Sequence, residues 1–488
     1  MKVFFVASEC VPFSKTGGLA DVVGALPEAL AALGHEVSVI IPRYRATKPG
    51  SPLPTTENLT IPLSSGFKFA ALQRGGVVKG VQHYLVDCPE LFDRDGLYQT
   101  KDGKDYPDNA TRFAAFSLAA IEGIKRLGEP PRVIHCHDWQ TSLVPVYLNT
   151  LYAGDRFFRE TSTVLTIHNL GYQGLFPADI LPKITLDWSV FHIEGLEFFG
   201  KVNYLKGGIL FSDFITTVSR KYAAEIQTPE FGYGLDGVLR SRAGRLQGIL
   251  NGVDYDAWNP ATDPLIPAHY TAANLAGKRV CKKELLVKLG VSAPNLDRPV
   301  IGIVSRFATQ KGFDLIEHIA ADLAAMDAYV VALGAGEPQY ESLFRALAEQ
   351  HPDKFLVRVA YDNELAHQIE AGSDIFLMPS RYEPCGLNQI YSLKYGAVPV
   401  VRATGGLDDT IQDFDGTNGT GFKFSEYSAP ALLGALQRAI DAYRQSAAWT
   451  RLLQNGMSKD FSWPVSARAY AQAYQQASAA GARIQAAS

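Results

Sequence analysis

Short apolar runs bounded by glycine, proline or polar residues recur along this chain, and stretches of helical period separate them. The run Val3 to Ala7 reads as a buried strand, and the pattern from about Leu19 to Leu33 as the helix after it, stopped at Gly34. Glu36 to Ile41 is a second strand. From about 50 to 105 the helical rhythm is lost, and short alternating pieces such as Gln82 to Val86 lie among Gly, Pro and Asp. That stretch predicts an insertion of loops and small antiparallel strands, serving as a lid or an acceptor surface. Helical spacing returns from Asn109 to about Leu127, and strands follow at Val133 to Cys136, Thr163 to Ile167 and Ile215 to Val218, with Ser219 as an N-cap. Strands alternating with helices imply a parallel sheet.

The rhythm breaks at Ile249-Leu250-Asn251-Gly252-Val253-Asp254, which leads into Trp258-Asn259-Pro260 and a polar, proline-rich stretch to about His269. This is the best domain boundary in the chain. The pattern then restarts, with strands at Pro299 to Val304, Ala328 to Leu333, Phe355 to Val359, Ile375 to Met378 and Val398 to Arg402. The expected class is α/β: two doubly wound, Rossmann-like domains facing a central cleft, the natural ligand site. The N-terminal domain is assigned to 1-255, the C-terminal one to 256-460, and 461-488 to an amphipathic C-terminal helix able to pack on either half, including back on the N-terminal domain.

At 488 residues the chain is too long for one core, and 47% apolar with 20% charged residues is an ordinary globular balance. A net charge of −4 argues against a broad nucleic-acid footprint. No apolar run reaches the length of a membrane span, and the first strand runs at once into polar and glycine residues, unlike a signal peptide. The five cysteines are an odd number, far apart and without Cys-x-x-Cys, which predicts reduced thiols and a cytoplasmic protein.

Candidate chemistry sits at strand ends. Ser14-Lys15-Thr16-Gly17-Gly18-Leu19-Ala20-Asp21 follows the first strand and opens the first helix. Glycines admit a ligand close to the backbone, a helix start offers unpaired N–H groups, and Lys15 adds a mobile charge. Two readings stand for it: a phosphate site, or an ordinary strand-to-helix turn with a solvated lysine. Neither Gly-x-Gly-x-x-Gly in the first turn nor Gly-Lys-Ser/Thr anywhere is present, so an anion site here is not a dinucleotide or P-loop one. In His135-Cys136-His137-Asp138-Trp139 the two histidines share a side of the strand, but no third metal ligand lies at a familiar spacing, which favours a buried polar strand end over zinc. Asp138 and His168 both fall at carboxyl ends of strands, where either a ligand or a structural polar role is open. In the second half, Arg306 and Lys311 share one strand-to-helix loop, able to converge on a diphosphate. Ser380-Arg381-Tyr382-Glu383-Pro384-Cys385-Gly386-Leu387 turns tightly into a helix, with Glu383 poised for sugar hydroxyls, and Thr404-Gly405-Gly406-Leu407 echoes the opening glycine turn on the opposite wall.

Nearly end to end, the chain resembles the bacterial glycogen synthases and starch synthases, retaining glucosyltransferases of the GT-B architecture. The likeness rests on Lys15-Thr16-Gly17-Gly18-Leu19, His137-Asp138-Trp139, His168-Asn169-Leu170, Asn251-Gly252-Val253-Asp254, Arg306 with Lys311, and Glu383-Pro384-Cys385-Gly386-Leu387. It implies ADP-glucose (UDP-glucose in some members) as donor and the non-reducing end of an α-1,4-glucan as acceptor. It also implies that Lys15, Arg306 and Lys311 hold the diphosphate, with the Gly18 N–H on a phosphate. Asp138 and His168 would flank the transferred glucose, Glu383 would contact its hydroxyls, and Cys385, Gly386 and Leu387 would offer it backbone N–H groups. Thr404 and Gly405 join the donor-binding set. One departure stands out: Tyr391 lies eight positions after Glu383, where many relatives of this architecture carry a second Glu for the ribose.

Fixed cations on the leaving diphosphate supply what a metal would otherwise supply. The acidic triplets Asp93-Arg94-Asp95, Asp254-Tyr255-Asp256 and Asp413-Phe414-Asp415 lie away from those cations, so no metal and no cofactor is expected. Other readings are a transferase for a lipid or small-sugar acceptor, a glucan-binding protein without catalysis, and a phosphorylase. The Lys15 motif combined with Glu383-Pro384-Cys385-Gly386 argues against the first, and the full set of cations with Asp138 against the second.

Overall fold

The computed structural model describes residues 1–47, 54–64 and 66–487. Among the described residues no helix is long and apolar enough to cross a membrane. Two compact units divide the chain: Met1–Val218 with Ala223–Gly252 and Trp463–Ser488, and Ser219–Tyr222 with Val253–Ser462.

The first unit is built on strands β1 (Lys2–Val6), β2 (Glu36–Pro42), β3 (Thr55–Leu63), β4 (Gly66–Val78), β5 (Val81–Asp87), β6 (Val133–His137) and β7 (Ser162–Ile167). Three short ones follow, β8 (Leu175–Pro177), β9 (Glu197–Phe198) and β10 (Lys201–Asn203), then β11 (Phe214–Thr217) and β12 (Leu246–Gly248). Nine of these form one sheet in the order β12-β11-β7-β6-β1-β2-β5-β4-β3, while β8, β10 and β9 make a small antiparallel sheet of their own. Strand β1 pairs in parallel with β2 on one side and β6 on the other, so the winding reverses there. Its residues Val3, Phe5 and Val6 are fully buried, as a strand covered on both faces requires.

The stretch from about 50 to 105 does hold antiparallel pairs, and they belong to the main sheet. Strand β5 pairs in parallel with β2, and β4 and β3 extend the same sheet in antiparallel fashion. The sequence period there is that of a half-covered antiparallel edge, which reads locally like a detached hairpin. Residues 50–53 and 65 of that stretch lie outside the described residues.

The C-terminal helix Trp463–Ala487 belongs to this unit. Its Trp463, Ala467, Tyr470, Ala473, Tyr474 and Ala477 pack in one cluster with Val3, Leu19, Val22, Leu26 and Val37. Small alanines at helical spacing let it lie close against the helix Gly18–Ala32. Where the chain leaves the unit, a Cβ on Gly252 would stand 2.5 Å from the Cα of Trp463, where it returns.

The second unit holds β13 (Val300–Val304), β14 (Tyr329–Gly334), β15 (Phe355–Val359), β16 (Ile375–Met378), β17 (Val398–Arg402) and β18 (Phe422–Phe424). All pairs are parallel, in the order β15-β14-β13-β16-β17-β18, with the reversal between β13 and β16. One core cluster around Ile301, Phe313 and Phe344 and another around Val300, Leu365 and Phe376 contain residues from opposite faces of β13.

Candidate active site

In each unit the sequence-predicted residues gather at the carboxyl ends of the strands flanking the reversal, where an open α/β sheet leaves a crevice. In the first unit these are the segments after β1, β6 and β7. The loop after β1 is shaped by Glu9, which sequence reasoning missed. Its carboxylate, 3% exposed, accepts from the Thr16 backbone N–H and, at 3.0 Å, from the Thr16 hydroxyl. Burial pushes this carboxyl above the usual range, against the pull of those donors. The signal was an acidic residue two positions beyond an apolar strand end.

Gly17 ends that loop at φ −152°, and the helix Gly18–Ala32 begins without a side-chain cap. A Cβ at Gly17 or Gly18 would meet nothing within 4 Å, so both face open space with uncapped N–H groups nearby. Lys15 is half-exposed and its Nζ rests 2.6 Å from Asp21 Oδ1 in the first helical turn.

Asp138 opens the turn after β6 with φ +54°, an unfavourable conformation for a residue with a Cβ. The loop after β7 fixes it: the His168 backbone N–H donates to Asp138 Oδ1 at 2.7 Å. Burial pushes the Asp138 carboxyl up to about 7, although the His168 and Asn169 amides pull the other way. The His168 ring meets His137, another residue the sequence reading left out of the site, with Nε2 3.0 Å from His137 Nδ1. Burial lowers His168 to about 3 and His137 well below the ordinary value, so both rings are neutral. His135 and His137 share a side of β6, as the alternation predicted, with ring centroids 4.2 Å apart. His135 is spent on Tyr474 (2.8 Å) and Thr166 (2.6 Å). Among the described residues no group of three or more His, Cys, Asp or Glu is arranged to hold a metal.

In the second unit, Gly312 lets the loop after β13 turn back on the sheet. Its φ is +80°, and a Cβ would lie 2.1 Å from the Pro379 carbonyl oxygen. That turn delivers Lys311 to Glu383, with Nζ 2.6 Å from Oε2. Ser380 Oγ donates to the same oxygen at 3.1 Å, and Glu383 is 6% exposed. Arg306 is exposed, with its guanidinium only 3.5 Å from Gln310 Oε1. The pair thus divides into an anchored cation and a mobile one.

The turn from Cys385 to Leu387 leads into the helix Asn388–Tyr395, which has no side-chain cap and is tied to β13 by Asn388 Nδ2 on the Val304 carbonyl (2.7 Å). Gly386 takes φ +69° in that turn. The Thr404-Gly405-Gly406 turn, alike in sequence to Thr16-Gly17-Gly18, is packed differently. A Cβ on Gly405 would lie 1.9 Å from the Glu383 carbonyl oxygen, and one on Gly406 1.9 Å from that of Cys385. These glycines press backbone against backbone and hold the Glu383 turn in place, whereas a Cβ on Gly17 or Gly18 would meet nothing within 4 Å. Thr404, beside them, is fully buried. Tyr391, the departure noted in the sequence, stacks on Trp258 with centroids 4.0 Å apart and 5° between planes. Trp258 stacks in turn on His367, whose Nδ1 lies 2.7 Å from Asp263 Oδ2. The position is therefore aromatic and occupied.

Residues 2–241 match the family described as the starch synthase catalytic domain, and residues 289–451 match glycosyl transferases group 1. A glycogen synthase of Koribacter versatilis (strain Ellin345) is 57% identical over 479 residues, covering 98% of each chain. One from Anaeromyxobacter dehalogenans (strain 2CP-C) is 49% identical, covering 97% of this chain and 99% of that one. Among solved structures, the catalytic domain of starch synthase IV from Arabidopsis thaliana, bound to ADP and acarbose, superposes with a TM-score of 0.88 at 34% identity, covering 98% of this chain and 99% of that one. The sucrose-phosphate synthase of Thermosynechococcus elongatus shares the fold alone, with a TM-score of 0.60 at 18% identity. With its two parallel α/β units, its strand-end residues and this similarity along nearly its whole length, the chain belongs to the glycogen and starch synthase family of GT-B glycosyltransferases.

Proposed function

We propose that this chain transfers glucose from ADP-glucose to the non-reducing end of an α-1,4-glucan with retention at the anomeric carbon. Family membership over nearly the whole chain supports the activity. The observation that carries the chemistry is the Lys311 ammonium held 2.6 Å from the buried Glu383 carboxylate at the reversal of the second sheet. Cleaving a sugar–diphosphate bond puts negative charge on the leaving group, and a cation fixed before the reaction stabilises that charge without reorganising. Glu383 uses one N–H of Lys311 and leaves two for phosphate oxygens. Arg306 and Lys15 are assigned to the same diphosphate, with the Gly18 N–H on a phosphate. Asp138 and His168 are assigned to the glucose. Glu383 is assigned to its hydroxyls, and the N–H groups of Cys385, Gly386 and Leu387 to the sugar as well. Thr404 and Gly405, packed against the Glu383 turn, are assigned to the donor as well.

Retention by two displacements needs a carboxylate free to attack the anomeric carbon. Glu383 Oε2 takes both Lys311 and Ser380, and Asp138 Oδ1 takes the His168 amide. These commitments support same-face attack, in which the acceptor hydroxyl bonds to the anomeric carbon as the diphosphate leaves and gives its proton to a diphosphate oxygen. Five buried free thiols support a reducing, cytoplasmic setting. The test is incubation with glycogen and each donor, followed by product NMR: new α-1,4 linkages and a large kcat/KM preference for ADP-glucose are expected. A β-linked product, a trapped glucosyl-enzyme or a preference for UDP-glucose refutes the corresponding part.

A further inference from the structure

The buried histidines beneath Asp138 define which ring nitrogen of His168 carries a proton. His137 is fully buried at the end of β6, stacked on Phe5 (centroids 5.4 Å apart, 22° between planes). A neutral imidazole carries one N–H, and two neutral rings share a hydrogen bond only if one donates. Between His137 Nδ1 and His168 Nε2, 3.0 Å apart, there are two ways to do so.

If His168 Nε2–H donates, His137 accepts on Nδ1 and must carry its own proton on Nε2. That atom is buried and has no hydrogen-bond partner. His135, the nearest polar ring, cannot help, because both its nitrogens are bound to Tyr474 and Thr166. If His137 Nδ1–H donates, the orphan Nε2 is a bare lone pair. A buried donor without an acceptor is the rarer and costlier of the two defects. The second arrangement wins, and it places the His168 proton on Nδ1. Among the described residues, none bonds to that nitrogen.

We propose that His137 is a positioning residue that locks His168 in the Nδ1–H tautomer, so that His168 presents a hydrogen-bond donor, and not a base, to a sugar hydroxyl. This rests on the reading that His168 borders the transferred glucose. The Tyr474 and Thr166 bonds to His135 hold the neighbouring ring in place, which gives the C-terminal helix a part in ordering the site.

Two substitutions separate tautomer control from packing. His137→Asn keeps an N–H donor near the Nδ1 position but loses ring volume, whereas His137→Phe keeps a ring against Phe5 but no donor. Tautomer control predicts kcat within about tenfold of the parent for His137→Asn and a loss of about 10²-fold for His137→Phe, since a misaligned group costs that much. Thermal melting should rank them the other way. A purely structural role predicts that His137→Phe is the more active and the more stable. The direct readout is nitrogen NMR of the full chain labelled with ¹⁵N-histidine, with His168 assigned by its loss in His168→Gln. Protonated Nδ1 and bare Nε2 are expected in the parent, and loss of that single form in His137→Phe. Protonated Nε2 in the parent overturns the proposal. The NMR needs no substrate, so it stands apart from the reading beneath it: parent-like activity of His168→Ala would remove His168 from the sugar and leave the tautomer result intact.

Discussion

Replacing Lys311 by methionine should cost the protein both turnover and stability, and a second substitution separates the two losses. The Lys311 side chain is 20% exposed and that of Glu383 8%, so this pair lies between a surface ion pair and a fully buried one. Surface pairs contribute about 0–1 kcal/mol, and breaking a buried pair costs about 3–5 kcal/mol because a charge is left unpaired, so we expect about 2–3 kcal/mol here. For a domain of this size that is a drop of roughly 4–12 °C in Tm. Turnover should fall by about 10²–10³, the usual cost of one fixed donor to the transition state. In Lys311→Met/Glu383→Gln no carboxylate is stranded, since a neutral amide still bonds to Ser380, so most of the melting temperature should return while turnover stays low. Calorimetry and steady-state kinetics with ADP-glucose and glycogen read both quantities. The reasoning fails if Lys311→Met melts within 1 °C of the parent, if turnover stays within about tenfold, or if the double variant regains activity.

Arg306→Ala removes an exposed side chain with one weak contact, so the fold should melt as the parent does while kcat/KM falls by about 10²-fold. Asp138 is held above its unfolded value, so the folded state binds more protons and this group's contribution to stability declines as pH rises from about 4 through about 7. Asp138→Asn should therefore melt higher than the parent at pH 8, by about 1–2 kcal/mol after solvent screening, with the gap closing towards pH 4; an equal gap at both pH values refutes the raised carboxyl. Gly405→Ala, with φ +46° and a Cβ 1.9 Å from the Glu383 carbonyl oxygen, should destabilise by more than about 2 kcal/mol. Gly17→Ala, with open space, should melt within about 2 °C of the parent and lose activity only if the donor lies against it. Matched melting of the two glycine variants would show that the two turns do the same job.

The order of elements in this protein is local information. Val3 to Ala7, Val133 to Cys136 and Ile375 to Met378 are apolar enough to be strands buried on both faces, and the glycines and polar residues after them mark where each strand ends. Because an α/β sheet exposes its ligand-facing loops at those ends, position marked Lys15, Asp138, His168, Arg306, Lys311 and Glu383 as candidates, and the family resemblance supplied their roles. Partners across the sheet were not legible, since they depend on which strands become neighbours. The sequence period of β3, β4 and β5 is the same whether they form a detached hairpin or complete the central sheet, and only pairing with β2 decides it. Thr404-Gly405-Gly406 and Thr16-Gly17-Gly18 are alike as strings, yet one presses on the Glu383 backbone and the other is open, because the distance to another chain segment is a tertiary quantity. Glu9 and Tyr474 lay outside the motifs, and His137 stood in one without a role at the site being assigned to it. Their roles come from burial beside a specific neighbour, Thr16, His168 and His135 respectively, and burial is what makes each unpaired donor or charge costly enough to matter.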